Sequence, residues 1–164
     1  MSQKTTHEWL PFYLRDHMAG ARTGVRLFDR VAQGHSRHQV RTEVARTHGE
    51  VEQDCRALRV MMTDLGMRQV SLTMFMGVFG ELVGRLKPNG AIFKRSIGAD
   101  VLELEALVAA VEAKARLWET LIALSGSIPE LDSEKLRHLQ DRAGDQRDTL
   151  IGLHAQVVRT TPIG

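Results

Sequence analysis

Two histidines and two glutamates are the residues of this sequence best suited to bind a metal ion. His48 and Glu52 lie one helical turn apart, and His17 and Glu112 lie on two other predicted helices. Imidazole and carboxylate ligands together suit ions such as Zn and Fe, whereas Ca would need more oxygen ligands. Counting residues outward from each turn puts all four near the middle of a bundle, beside Gln146. We therefore predict a mid-bundle metal site formed by His17, His48, Glu52 and Glu112, with Fe or Zn as its ion.

The same residues have a second interpretation, as a polar layer that fixes the register of the helices. Each histidine would then hydrogen-bond a Glu or Gln side chain, because buried polar groups need partners. Structural networks also place ionisable groups in protein cores without any catalytic role. Both interpretations stay open, and metal content distinguishes them, since a metal enzyme carries an ion in nearly every molecule.

Known catalytic signatures are missing from the sequence. No Glu is followed by His three residues later, so the usual di-iron motif of four-helix proteins is absent. His48 and Glu52 match one element of the hemerythrin pattern, but residues 101–124 contain no histidine to complete it. There is no CxxC pair or glycine-rich phosphate loop, and Cys55 is the single cysteine. These observations favour a protein that is not an enzyme.

Helices must position these residues, because apolar side chains recur at three-to-four spacing through most of the chain. The first helix is predicted over 10–33, with Pro11 in its first turn. The second follows a capping box at 36–39 and ends at Gly66. A short helix at 72–86 precedes a third long helix that Asp100 caps. The last begins at Asp132 or Ser133 and stops before Pro162. This pattern predicts an all-α bundle of four long helices and one short one.

Composition indicates one globular domain over residues 1–164, with flexible ends at 1–9 and 161–164. Hydrophobic residues make up 43% of the chain and aromatic residues only 5%, a balance typical of helical proteins. The net charge is +2, with acidic and basic residues interleaved, which argues against nucleic acid as a partner. The single cysteine, the absence of a signal-like apolar start and the lack of a transmembrane run predict a cytoplasmic protein.

Three segments resemble patterns in an uncharacterised bacterial ferritin-like family. They are DHMAGA at 16–21, GRLKPNG at 84–90 and LELEAL at 102–107, and the similarity extends over most of the chain. The resemblance implies a ferritin-like bundle with up-down-down-up order, and the family carries no assigned activity. The long connection over 67–100 independently favours that order, because it can return along the bundle.

The short helix at 72–86 is apolar around most of its circumference, with Glu81 and Arg85 as its only charges. Such a helix is either buried or forms a contact surface. We predict an interface with a protein partner or a second copy of the chain, formed by Met74, Phe75, Phe79 and Val83. The sequence thus favours a non-catalytic ferritin-like bundle that acts through protein–protein contacts. The alternative is a metal-binding ferritin-like protein with a degenerate site, acting as a weak oxidoreductase.

Overall fold

Four α-helices form the structure, a computed structural model that describes residues 7–67 and 97–161. They are α1 (Leu10–Gly34), α2 (His38–Asp64), α3 (Ile97–Leu124) and α4 (Ser133–Arg159). No strand occurs within these two ranges, so the prediction of an all-α bundle is confirmed. None of the four helices combines the length and apolar character needed to cross a membrane. The predicted helix at 72–86 and its interface residues lie outside the described residues.

Three of the predicted helix boundaries are confirmed, each with its expected signal. Pro11 occupies the first turn of α1. Asp132 is the N-cap of α4, and its carboxylate accepts hydrogen bonds from two backbone N–H groups of the first turn. Gly66 ends α2 with φ +70°, a conformation that favours glycine. Beyond it, the N–H of Met67 reaches back to the carbonyl of Met62 at 2.9 Å, which completes a Schellman cap.

Two other helix starts differ from prediction. The residues at 36–39 do not form a capping box: Arg37 is the N-cap of α2 and makes no capping side-chain hydrogen bond. Ser36 instead donates its hydroxyl to the carboxylate of Asp100. Helix α3 begins at Ile97, so Asp100 lies in its first turn and does not precede it. The carboxylate is still favourably placed, because the positive end of the helix dipole lies there.

The helices pack as two hairpins, α1 with α2 and α3 with α4, and the hairpins meet through α1 on α3 and α2 on α4. Tyr13, near the start of α1, donates a 3.1 Å hydrogen bond to Thr120, near the end of α3. Gln156, near the end of α4, donates to Gln39, near the start of α2. Both helix pairs that join the hairpins therefore run in opposite directions.

The turn between α1 and α2 contacts both helices of the other hairpin. Besides the bond from Ser36 to α3, the guanidinium of Arg37 donates to the carbonyl of Val157 at 3.2 Å and to the hydroxyl of Thr161 at 3.3 Å. The Val157 carbonyl, in the last turn of α4, also accepts a hydrogen bond from the Thr161 hydroxyl at 2.7 Å. One end of the bundle is held together by these side chains.

Apolar side chains from all four helices fill the centre of the bundle. The largest fully buried ones are Phe28, Leu58, Trp118, Leu136 and Leu150, together with several further leucines. Their three-to-four spacing is the one predicted from sequence, and their burial supplies the main stabilisation of the fold. Polar side chains interrupt this core at its middle.

Candidate functional site

The two glutamates of the predicted metal site lie at the surface of the bundle. Glu112 accepts a hydrogen bond from Arg116 at 2.6 Å and lies 3.6 Å from Arg147. The Arg116 hydrogen bond is the main reason that the pKa of Glu112 lies below its ordinary value. Glu52 lies 4.0 Å from Arg56 on its own helix, with its side chain partly exposed. Each glutamate thus pairs with a surface arginine.

The two histidines are half-buried. His17 packs against Tyr13, with ring centroids 4.5 Å apart, and burial lowers its pKa while the neighbouring Asp16 opposes that shift. Nε2 of His48 is buried and has no hydrogen-bond partner in the described part of the chain. Across residues 7–67 and 97–161, no three His, Cys, Asp or Glu side chains form a group that could hold a metal ion. The four predicted ligands are therefore not assembled into such a group, and Fe or Zn binding stays a prediction.

A different set of polar residues meets in the middle of the bundle. Asp54 of α2 is 1% exposed. Its carboxylate accepts hydrogen bonds from Lys114 of α3 at 2.5 Å and from Arg142 of α4. Gln146 of α4 donates to it at 3.3 Å. Three helices therefore converge on one buried carboxylate, which we call the Asp54 network.

Gln146 completes this network through both ends of its amide. The amide oxygen accepts from Lys114, and the amide nitrogen donates to Glu50 at 3.1 Å as well as to Asp54. Gln146 was predicted to belong to a mid-bundle polar layer, and it is 2% exposed. Its neighbours, however, are Asp54 and Lys114, which sequence analysis did not single out.

The Asp54 network contains two cations and two carboxylates. Lys114 and Arg142 contribute the positive charges, and Asp54 and Glu50 contribute the negative ones. Glu50 also pairs with Arg46 at 3.0 Å. Burial lowers the pKa of Lys114, and the carboxylate of Asp54 opposes the shift. The charged form of Lys114 is thus stabilised chiefly by Asp54, since buried ions are costly unless paired.

A cavity of about 60 Å³ lies next to the Asp54 network, between α1, α2 and α3. Small residues of α1 and α3 form its sides, and Cys55 and Trp118 also line it, as do Asp54 and Lys114. Gly24 is buried, yet a Cβ added there would meet no heavy atom of residues 7–67 and 97–161 within 4 Å. The missing side chain at Gly24 is therefore one cause of the cavity. Burial raises the pKa of the Cys55 thiol, which disfavours the reactive thiolate.

Sequence analysis missed Asp54 and Lys114 although a signal for both was present. Asp54 lies three residues after Val51 and four before Leu58, and both of these are core residues. Lys114 lies three after Val111 and four before Trp118. A charged residue at the spacing of an apolar stripe is a candidate for a buried ion pair.

Comparison with protein-family models, with curated proteins and with solved structures finds no match to this chain. Fold, network and cavity are the observations on which a function can be proposed.

Proposed function

We propose that this chain is a non-catalytic helical bundle with ferritin-like, up-down-down-up order, and that it acts through contacts with protein. The order is supported by the opposed directions of α1 and α3 and of α2 and α4, seen in the Tyr13–Thr120 and Gln156–Gln39 bonds. Because each hairpin is also antiparallel, α2 and α3 run in the same direction. Such a pair needs a long connection, and residues 65–96 are long enough to supply it.

The non-catalytic part of the proposal is supported by the hydrogen bonds that the buried polar side chains make. Both carboxylate oxygens of Asp54 accept hydrogen bonds, and Gln146 uses both ends of its amide. A general base or nucleophile must be directed at a substrate, whereas these hydrogen bonds direct both side chains at neighbouring helices. The network instead joins three helices, which is a structural role.

Exposed apolar side chains support contact with protein. Leu102 of α3 and Val158 of α4 are each about half exposed. Glu105 lies one turn after Leu102 on α3, and His154 lies one turn before Val158 on α4. Because Glu105 and His154 contact each other at 3.1 Å, Leu102 and Val158 lie at similar heights along the bundle. Neighbouring apolar residues on a surface indicate an interface more strongly than scattered ones. The predicted interface at Met74, Phe75, Phe79 and Val83 belongs to the same proposal.

Sedimentation velocity over a wide concentration range tests this proposal with the full chain. We expect reversible formation of a homodimer that Leu102→Glu and Phe79→Glu each weaken at least tenfold. The control is Val60→Glu, which places the same charge at an exposed valine of α2 and should leave the association unchanged. A chain that stays monomeric at every concentration contradicts a second copy of the chain as the partner, as does association that neither interface variant weakens.

One observation favours the second candidate, a metal-binding ferritin-like protein. The buried Nε2 of His48 finds no partner among the described residues, and an unpaired imidazole nitrogen is a potential metal ligand. Metal analysis of protein purified without an affinity tag distinguishes the two functions. Stoichiometric Fe or Zn that is lost in His48→Ala, and kept in the exposed-site control His138→Ala, would support the metal-binding candidate. Protein free of metal would leave the non-catalytic bundle.

A further inference from the structure

The wall of the cavity beside the Asp54 network is mostly apolar. Phe28 of α1, Leu58 of α2 and Leu117 of α3 line it, and each is at most 2% exposed. Gly24 and Ala110 also line it and leave space between these larger side chains. A polar molecule that entered would give up hydrogen bonds to water and find few on such a wall. The wall therefore favours an apolar occupant.

The charged groups on the wall, Asp54 and Lys114, are already paired. Asp54 accepts hydrogen bonds from three donors, and Lys114 donates to Asp54 and to Gln146. With Arg142 and Glu50, the network holds two cations and two carboxylates. A charged ligand would add an ion without a counter-ion to this set, and burying such an ion is costly. The network thus disfavours an ionic ligand.

Two other titratable groups line the cavity, and both are neutral at pH 7. Burial lowers the pKa of His17 below its ordinary value of 6.5, and it raises the pKa of the Cys55 thiol above its ordinary value of 9.0. A buried thiol behaves as a small apolar group. Neither residue therefore supplies a charge that a ligand would have to balance.

The size of the cavity limits the ligand. A water molecule needs about 10–15 Å³ of such space, and a cavity that binds benzene offers about 150 Å³, whereas this one has about 60 Å³. Among its lining residues, Ala113 is exposed and Gly20 and Ala110 are half-buried. The cavity therefore reaches the surface between α1 and α3, where a small molecule can enter.

We propose that the cavity between α1, α2 and α3 binds a small neutral hydrocarbon, a molecule smaller than benzene. Its carbon atoms pack against Phe28, Leu58 and Leu117 and occupy the space beside Gly24. Removal of apolar surface from water drives the binding. The proposal is independent of the function proposed above, because it concerns a cavity in the bundle and not the surface that contacts protein. Homodimer formation and hydrocarbon binding can therefore succeed or fail separately.

Xenon and cyclopropane are suitable probes, because apolar protein cavities take up such molecules. In methyl NMR spectra of the full chain, we expect either probe to shift the signals of Ala21, Val51 and Leu58, which line the cavity, in a saturable way. Helium at the same pressure should not shift them. Propionate should bind at least tenfold more weakly than cyclopropane, and equal binding would refute the apolar assignment.

Water is the competing occupant of the cavity. Trp118 lines it, and in the described ranges the indole N–H of Trp118 is buried without an acceptor. Water held there by hydrogen bonds would keep both apolar probes out. The absence of a saturable shift with xenon and with cyclopropane would therefore overturn the proposal.

Two variants test the location without changing a network residue. Gly24→Val fills the cavity from α1 and should weaken cyclopropane binding at least tenfold, whereas Gly152→Val, at an exposed glycine in the interior of α4, should bind like the parent. Ala110→Leu fills the cavity from α3 and should have the same effect, with the exposed Ala109→Leu as its control. If one filled variant fails to fold, the other still provides the test. Binding that a folded filled variant leaves unchanged would place the ligand elsewhere and overturn the proposal.

Discussion

Replacing Gly24 by Ala should stabilise the protein more than the same replacement at any exposed helical glycine. Gly24 is buried in the interior of α1, and the new methyl group would have no heavy atom of the described residues within 4 Å. Two favourable terms add at this position. Alanine gains about 0.9 kcal/mol over glycine in a helix interior, and burying one methyl group adds about 0.8 kcal/mol.

The expected gain at Gly24 is therefore about 1.7 kcal/mol in the free energy of unfolding. Gly152 provides the control, because it is exposed in the interior of α4, and a Cβ there also meets no heavy atom within 4 Å in the described part of the chain. Gly152→Ala keeps the helix-propensity term and loses the burial term, so its expected gain is about 0.9 kcal/mol. The difference between the two variants isolates the cavity.

Equilibrium urea unfolding of both variants against the parent measures this difference. In a chain of this length each kcal/mol corresponds to about 2–4 °C in Tm, so thermal unfolding gives a second reading. Equal gains in the two variants would refute the reasoning, because they would mean that the methyl group buries nothing at Gly24. A loss of stability in Gly24→Ala alone would mean that α1 and α3 approach more closely there.

Two further predictions concern Asp54 and His17. Asp54→Asn should lower the free energy of unfolding by about 3–5 kcal/mol, because it leaves the Lys114 ammonium buried without its carboxylate. The exposed-site control Asp148→Asn should change the free energy of unfolding little. If urea unfolding shows only a small loss of stability in Asp54→Asn, the structural role of the network is contradicted. Burial lowers the pKa of His17 below its ordinary value of 6.5, so the unfolded chain takes up the proton more readily and stability falls as pH drops below about 6.5. His17→Gln should reduce this loss of stability between roughly pH 7 and pH 5, and the exposed-site control His138→Gln should not. If the stability of His17→Gln depends on pH as that of the parent does, the prediction is wrong.

The sequence predicts helices and their ends well where the signal is local. Asp132 and Gly66 act through groups within one turn of themselves, so their residue type is sufficient evidence. Ser36 is a residue whose role cannot be predicted from its local sequence. Its hydroxyl could have capped α2, but it donates to Asp100, which is 64 residues away and brought close only by packing.

Counting residues from a turn gives the level of a side chain along the bundle and not the direction in which it points. Glu112 was expected opposite Gln146 and lies close to that level, since it contacts Arg147. However, it follows the core residue Val111 by 100° around the helix, and so it faces solvent. The partner of Gln146 on α3 is Lys114, because a step of three residues returns to the core face. To predict this pairing one must know which helices are neighbours, and that depends on the whole fold and not on local sequence.

The contacts of the α1–α2 turn also bear on the order in which the bundle can come apart. Each hairpin is contiguous in sequence and can form through short-range loop closure, whereas the bonds from Ser36 and Arg37 exist only after the hairpins have docked. The last turn of a helix usually frays independently of the rest. Here that turn of α4 is hydrogen-bonded to the opposite hairpin, so we expect its amide protons to exchange with solvent chiefly when the two hairpins separate. The exchange rate near Val157 is thus a measure of hairpin docking, taken at the surface of the protein.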